Sequence, residues 1–441
     1  MTHLRCRPGL LAAILVLSAC SSHASTPTTT AATTSTPTVA AATAATSTTA
    51  TTTTTAATTT TTTVTTSTIA APTTTTAAVA PAGDAFFTPP SPLPAGRPGD
   101  LIWSRQLPDD GTKIAWQILY LSQTVDGKAV AVSGLVVVPE GEVSKPRDVL
   151  AWAHGTTGLG DRCAISRQYA QGTGSEVLLT NVVQPLGLAF VATDYQGLGT
   201  PGDHPFLVGQ AEGRNVLDAV RAAAQLPGSG VSAESRTVVW GHSQGGGAAA
   251  FAAELAPTYA PELKVIGAMA GAPAGDLPAI ATSLDRGKDF GYTLMALDGI
   301  RAAYPNLPFT DVLTPKGLAE LDVIKDQCSE DILSGLQGGA ASDYIKTDLT
   351  KVPGFADVLK ANTAGYTKTS VPIFLYHGDA DETVPVAVSQ LMLDRYCALG
   401  VTVERKVYPG GTHVGVLLQA AGDLQRWITD RLAGTPVPSS C

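Results

Sequence analysis

Thr237-Val238-Val239-Trp240-Gly241-His242-Ser243-Gln244-Gly245-Gly246 is the stretch on which the reading turns, a short apolar strand running into G-x-S-x-G and then into an Ala-rich helix. A strand that turns this abruptly into a helix holds its central serine in strained backbone geometry, and glycines on both sides let neighbouring chain pass closely. Ser243 is then expected to be exposed at a helix N-terminus, where backbone N–H groups favour developing negative charge. G-x-S-x-G alone is weak evidence in a chain with 44 glycines. The flanking strand and helix make Ser243 a candidate nucleophile.

Outward from this turn the texture repeats. Short apolar runs at 149–153, 188–193, 237–240, 265–270, 371–376 and 401–407 alternate with helical patterns near 215–225, 246–255, 386–399 and 414–432. Such alternation implies crossover connections and a mostly parallel sheet covered on both faces. Two earlier runs, 114–121 and 130–138, read as antiparallel strands at the sheet edge, and 84–104, rich in Pro and Phe, as an extended arm. The alternation breaks after Gly271-Ala272-Pro273, and roughly 95 residues pass before the strand at 371, far more than an ordinary connection. Residues 276–368 therefore read as an inserted helical cap, with helices near 277–285, 318–327 and 355–361. The fold class is α/β: a mostly parallel central sheet flanked by helices, with a cap.

A serine nucleophile needs a base. His3 and His23 fall in the N-terminal segment, leaving His154, His204, His242, His377 and His413 of the seven histidines. With the chain order nucleophile, acid, histidine, the base follows the last strand, and His413 in Gly410-Gly411-Thr412-His413 meets this. His154, His242 and His377 flank glycine at strand ends and are read as loop braces. The acid lies in His377-Gly378-Asp379-Ala380-Asp381-Glu382-Thr383-Val384-Pro385, directly after a strand. Asp381 is the choice because the spacing matches H-G-x-x-D-x-x-V-P; Asp379 is the runner-up, and Glu382 is assigned to starting the following helix. Donors for a developing oxyanion are expected from the backbone N–H of Thr156, in Ala153-His154-Gly155-Thr156-Thr157-Gly158, and that of Gln244. Gly197-Leu198-Gly199-Thr200-Pro201-Gly202 spells a dinucleotide fingerprint, but Pro201, Asp203 and Pro205 prevent a helix from opening there. No HExxH, Walker A or EF-hand pattern occurs, so neither a metal nor a cofactor is implied.

The net charge of −9 argues against nucleic acid as a partner. No charged side chain occurs between Arg7 and Asp84, so residues 84–441 carry 26 basic and all 37 acidic groups, a net of −11. Residues 1–20 have the basic start and apolar run of an export signal, too short to span a bilayer. Leu17-Ser18-Ala19-Cys20 resembles a lipobox, which makes Cys20 the expected site of lipidation and of membrane attachment. Residues 21–83, almost only Thr, Ala, Ser, Pro and Val, are expected to form a disordered stalk with a reach of about 45 Å. The folded domain is then 84–441. Its four cysteines, Cys163, Cys328, Cys397 and Cys441, suit two disulfides in an exported protein, in any of three connectivities.

Taken together, the His154-Gly155 loop, Thr193-Asp194-Tyr195-Gln196-Gly197-Leu198-Gly199, the Ser243 turn, the Asp381 and His413 loops, the arm Phe87-Thr88-Pro89-Pro90 and the four cysteines resemble the secretory lipase family of α/β-hydrolases, here in a bacterial lipoprotein form. The resemblance runs from about Phe86 to Cys441. It implies disulfides Cys163–Cys328 and Cys397–Cys441, a lining or bracing role for Asp194 and Tyr195 at the oxyanion region, and hydrolysis of carboxylic esters, acylglycerols or other lipid esters; the lipobox places this activity at the cell envelope. A peptidase or amidase on the same fold, or a non-catalytic surface binding protein, are the alternatives. In the cap, Phe290, Tyr292, Leu294, Met295, Leu297 and Tyr304 either line an acyl tunnel or form ordinary cap core.

Overall fold

The computed structural model describes residues 79–441 apart from 109, 110 and 142. The expected export signal, Cys20 and the part of the expected stalk up to residue 78 lie outside the described residues. Among those described, nine strands form one sheet: β1 (Leu101–Gln106), β2 (Lys113–Gln123), β3 (Ala129–Pro139), β4 (Val149–Ala153), β5 (Ala189–Thr193), β6 (Arg236–His242), β7 (Lys264–Gly271), β8 (Ile373–Gly378) and β9 (Val403–Tyr408). Their order is β1-β2-β3-β5-β4-β6-β7-β8-β9. The first three strands and the β3–β5 pair are antiparallel, and every pair from β5 to β9 is parallel.

The central strands are apolar throughout because both faces are covered. In β4, Val149, Ala151 and Ala153 enter one core and Leu150 and Trp152 the other, as the two-residue period of a strand demands. Helices Gly209–Ala223, Gln244–Tyr259 and Ala387–Ala398 pack on the first face, while Glu176–Val183 and Val416–Ala433 pack on the second. The expected arm at 84–104 is only partly irregular. Its end is β1, which pairs with β2 and buries Ile102 and Trp103 against Phe86 and Phe87. Two short helices between β4 and β5, Ile165–Ala170 and Glu176–Val183, went unread because neither is long enough to display a clear period.

Between β7 and β8 the chain forms helices and no strand of the sheet. Asp276 caps the first of them, Leu277–Leu284, by accepting from Ala279 N–H, and its other carboxylate oxygen holds Arg395 at 2.6 Å on a core helix. Helix Pro315–Ile324 starts the same way, with Thr314 accepting from Gly317 N–H. The insert has its own apolar core around Phe290, Leu294, Phe309 and Phe355, the last two edge to face at 5.1 Å. Cys163 is bonded to Cys328 and Cys397 to Cys441. The first bond joins the loop after β4 to this insert. No helix among the described residues is long and apolar enough to cross a membrane.

Candidate active site

Ser243 stands between β6 and helix Gln244–Tyr259 with φ 60° and ψ −122°, a conformation non-glycine residues avoid. Three backbone bonds hold it there. Its N–H donates to Gly271 O at 2.9 Å, and its carbonyl accepts from Ala274 N–H at 3.0 Å and Gly247 N–H at 3.2 Å. A Cβ on Gly245 would overlap the carbonyl oxygen of Ala153, and one on Gly241 would overlap that of Gly245. These approaches require the two glycines of G-x-S-x-G. Ser243 is half-buried rather than freely exposed.

Two loops at the carboxyl ends of β8 and β9 converge on it. His413 Nε2 lies 2.9 Å from Ser243 Oγ, and His413 Nδ1 lies 2.7 Å from Asp381 Oδ2. The other oxygen of Asp381 accepts from the N–H groups of Thr383 and Val384 at 2.9 and 2.8 Å. Burial pushes the Asp381 carboxyl up, but hydrogen bonds from His377 and His413 outweigh it and hold the group well below the usual carboxylate range. Asp379 does not reach His413; it accepts from Gly410 N–H at 2.6 Å and so shapes the turn that delivers the imidazole. Glu382 does not start the next helix. It turns back to accept from His413 N–H at 3.2 Å, because Pro385 separates it from the helix that opens at Ala387.

The remaining histidines brace this frame. His242 Nε2 bonds His413 O at 2.8 Å, and burial, then the nearby His413, lowers its pKa to about 3, so it is a neutral donor. His377 Nε2 lies 3.2 Å from Asp381 Oδ2 and 2.9 Å from Val384 O. That link between a second imidazole and the acid was not foreseen in the sequence. His154 Nδ1 bonds Gly155 O at 2.6 Å, and Tyr195 donates to His154 O at 3.1 Å. Asp194 accepts from Ser133 Oγ at 2.6 Å and from Ser166 N–H at 2.8 Å, a buried brace beneath the same loop.

Thr156 sits on the loop after β4, where a Cβ on the adjacent Gly155 would come within 4.0 Å of Ser243 Cβ. Gln244 begins the helix that Ser243 caps. Among the described residues, neither the Thr156 nor the Gln244 backbone N–H has a protein acceptor. The loop carrying Thr156 is fixed to the insert: Leu159 N–H donates to Gln327 O at 2.9 Å and Ser329 N–H to Thr157 O at 3.0 Å, beside the Cys163–Cys328 bond. No group of His, Cys, Asp and Glu among the described residues is arranged to hold a metal ion. The assembled groups suit transfer of a serine proton to an imidazole and stabilisation of an adjacent oxyanion.

A family model described as Secretory lipase matches residues 167–440. The chain belongs to the secretory lipase family. With that family it joins the carboxylic ester hydrolases. It is similar to Lipase 6 of Candida albicans, 27% identical over 395 residues, 82% of this chain and 83% of that one. The secreted triacylglycerol lipase LIP4 of Malassezia globosa is likewise 27% identical, over 388 residues and the same shares. A Mycobacterium tuberculosis relative named probable inactive lipase MT1628 is 27% identical over 380 residues, 81% of this chain and 83% of its own. Among solved structures, closed Candida antarctica lipase A matches with a TM-score of 0.68 at 24% identity, over 78% of this chain and 84% of that one. The rice cell wall degrading esterase LipA of Xanthomonas oryzae matches with 0.63 at 20% identity, over 76% and 98%. These likenesses establish the α/β-hydrolase fold of this secretory lipase.

Proposed function

We propose that this lipase cleaves lipid esters, acylglycerols among them, through Ser243, His413 and Asp381. Ser243 Oγ attacks the ester carbonyl carbon while His413 Nε2 takes its proton, and Asp381 balances the imidazolium. The carbonyl oxygen, now negative, accepts from the N–H groups of Thr156 and Gln244, each worth about 3 kcal/mol of barrier. Collapse expels the alcohol, which leaves with the proton held by His413. Water, deprotonated by the same imidazole, then releases the acid from the acyl-enzyme. The observation that carries this reading is the unbroken Ser243–His413–Asp381 hydrogen-bond chain at the elbow.

The lipid part of the reading rests on a cavity of about 740 Å³ walled mainly by the insert, lined by Leu277, Ile280, Leu284, Tyr292, Leu297 and Ile300 among others. No residue of the triad lines it, yet Leu277 follows closely on Ala274, which bonds the Ser243 carbonyl. Of the cap residues singled out in the sequence, Tyr292 and Leu297 line the cavity, whereas Phe290, Leu294 and Met295 are fully buried core. An exported enzyme held at the extracellular face of the cell envelope by lipidated Cys20, with 21–83 as stalk, 84–441 as catalytic domain and 276–368 as cap, completes the proposal.

One relative's name, probable inactive lipase, favours a non-catalytic reading for comparison. Turnover of p-nitrophenyl esters and of emulsified triacylglycerol by the purified protein, abolished in Ser243→Ala, is the expected result. Undiminished turnover in S243A refutes the nucleophile. No turnover by the wild type returns the fold to a binding role. Failure of a fatty-acid label to mark wild type, or marking of Cys20→Ser as strongly as wild type, removes the anchor.

A further inference from the structure

The loop Gly197–Gly202, set aside in the sequence as a false nucleotide fingerprint, leads into a buried polar chain that the triad does not use. His204 Nδ1 donates to Gln196 O at 2.8 Å, and its Nε2 accepts from Gln244 Nε2 at 3.2 Å. Burial lowers the His204 pKa to about 3, so the ring is neutral and this assignment of its two nitrogens follows. The same Gln244 amide donates at 2.8 Å to Glu212 Oε1, on helix Gly209–Ala223. Glu212 Oε1 also accepts from Leu207 N–H at 2.9 Å. Leu207 has a left-handed φ of 58° and lines the cavity of the insert.

One carboxyl oxygen therefore restrains two elements at once. Gln244 carries the backbone N–H proposed for the oxyanion, and with both amide hydrogens engaged its side chain cannot swing. Leu207 carries a backbone conformation that an unconstrained leucine leaves. Gln244 and Glu212 are both buried, each 1% exposed, so no bulk solvent replaces a lost partner. We infer that Glu212 is a positioning residue for the reaction, which sets the Gln244 oxyanion donor and the Leu207 cavity wall in register. This rests on the reading of Ser243 as nucleophile.

The state of the carboxyl decides how well it can do this. Burial pushes Glu212 up to about 8, and its titratable neighbours offer little relief: His204 is neutral, and Tyr195, raised by burial and by Glu212 itself, stays a phenol. Among the described residues no Lys or Arg pairs with it. Neutral Glu212 accepts both bonds without opposing an oxyanion. Ionised Glu212 brings a negative charge to the side chain of the residue that donates to it.

The test uses Ser243-dependent turnover of a p-nitrophenyl ester by the full chain, with S243A as baseline, so that loss of the nucleophile reading is separately visible. Glu212→Ala is expected to lower kcat at least about tenfold, a fraction of the full effect of losing an oxyanion donor. Glu212→Gln keeps a carbonyl acceptor and is expected to recover most of that loss. Between about pH 7 and about pH 10 it should also lack the alkaline fall in kcat that ionisation of Glu212 gives the wild type. Gln244→Ala, which keeps its backbone N–H, should make no further difference once Glu212 is Ala, because the two act as one unit. A folded E212A with wild-type kcat, additive losses in the double variant, or an alkaline limb unchanged in E212Q overturns the inference. If E212A does not fold, the E212Q profile decides alone.

Discussion

Asp381 serves two imidazoles with one oxygen: Oδ2 lies 2.7 Å from His413 Nδ1 and 3.2 Å from His377 Nε2. The carboxylate is thus fixed from three sides, by two rings and by the N–H pair of Thr383 and Val384 on Oδ1. Asp381→Asn would offer an N–H where His413 needs an acceptor, moving the ring proton to Nε2 and leaving no base for Ser243. The expected cost is about 10³- to 10⁴-fold in kcat with KM little changed. Asp379→Asn, whose carboxylate only braces Gly410, should cost less than about tenfold. Steady-state kinetics in which D379N is the more damaged would transfer the acid role to Asp379.

The Cys163–Cys328 bond spans 165 residues and lies beside the hydrogen bonds that fix the Thr156 loop to the insert. Replacing both cysteines with serine should therefore lower stability and kcat together. Chain entropy alone suggests roughly 5 kcal/mol. Cys397–Cys441 spans 44 residues and ties helix Ala387–Ala398 to the C-terminal tail. Its removal should lower Tm with kcat retained. Equal losses of kcat in the two double variants would show that the first bond has no special hold on the Thr156 loop proposed to supply an oxyanion donor.

Glu254 is buried on the helix that follows Ser243, accepting from Gly365 N–H at 2.7 Å and Tyr396 OH at 2.8 Å. Burial raises its pKa from 4.5 to about 7. A carboxyl whose folded pKa is raised stabilises fully below its unfolded pKa, and that contribution drains away as pH rises through the folded value. Glu254→Gln keeps an acceptor and removes the ionisation. Measured by thermal unfolding, its Tm relative to wild type should climb between about pH 4.5 and about pH 7 and level off above. A difference independent of pH would mean that Glu254 stays ionised throughout.

What could be read in advance, and what could not, divides by the range of the interactions. The elbow announces itself locally: Gly241 and Gly245 are dictated by carbonyl oxygens that any strand-to-helix turn of this kind brings close. The alternation of Leu150 and Trp152 against Val149 and Ala151 likewise states a two-faced sheet within five residues. Glu212 gave no such sign, since a glutamate on a helix is ordinary until folding brings it against Gln244. His377 was legible as a brace, but its hold on Asp381 depends on a loop that doubles back through Val384. The insert's helix Gly291–Ala303 was missed because its apolar residues face both the cap core and the cavity, which blurs the helical period.

On the proposed reading the cavity takes the acyl chain of the ester, so the length of that chain should matter. Each methylene that leaves water for an apolar pocket contributes about 0.8 kcal/mol, close to a fourfold gain in kcat/KM. Ala296 lines the cavity on helix Gly291–Ala303, next to Leu297. Ala296→Phe would fill part of that space with a ring while leaving the triad untouched. Butyrate esters should then be cleaved at nearly the wild-type rate, whereas laurate and palmitate esters should lose at least about tenfold in kcat/KM. The comparison uses one leaving group, so that only the acyl chain varies. If A296F leaves the whole length profile unchanged, acyl chains do not enter this cavity, and the lipid specificity must be sought on the open face of the enzyme.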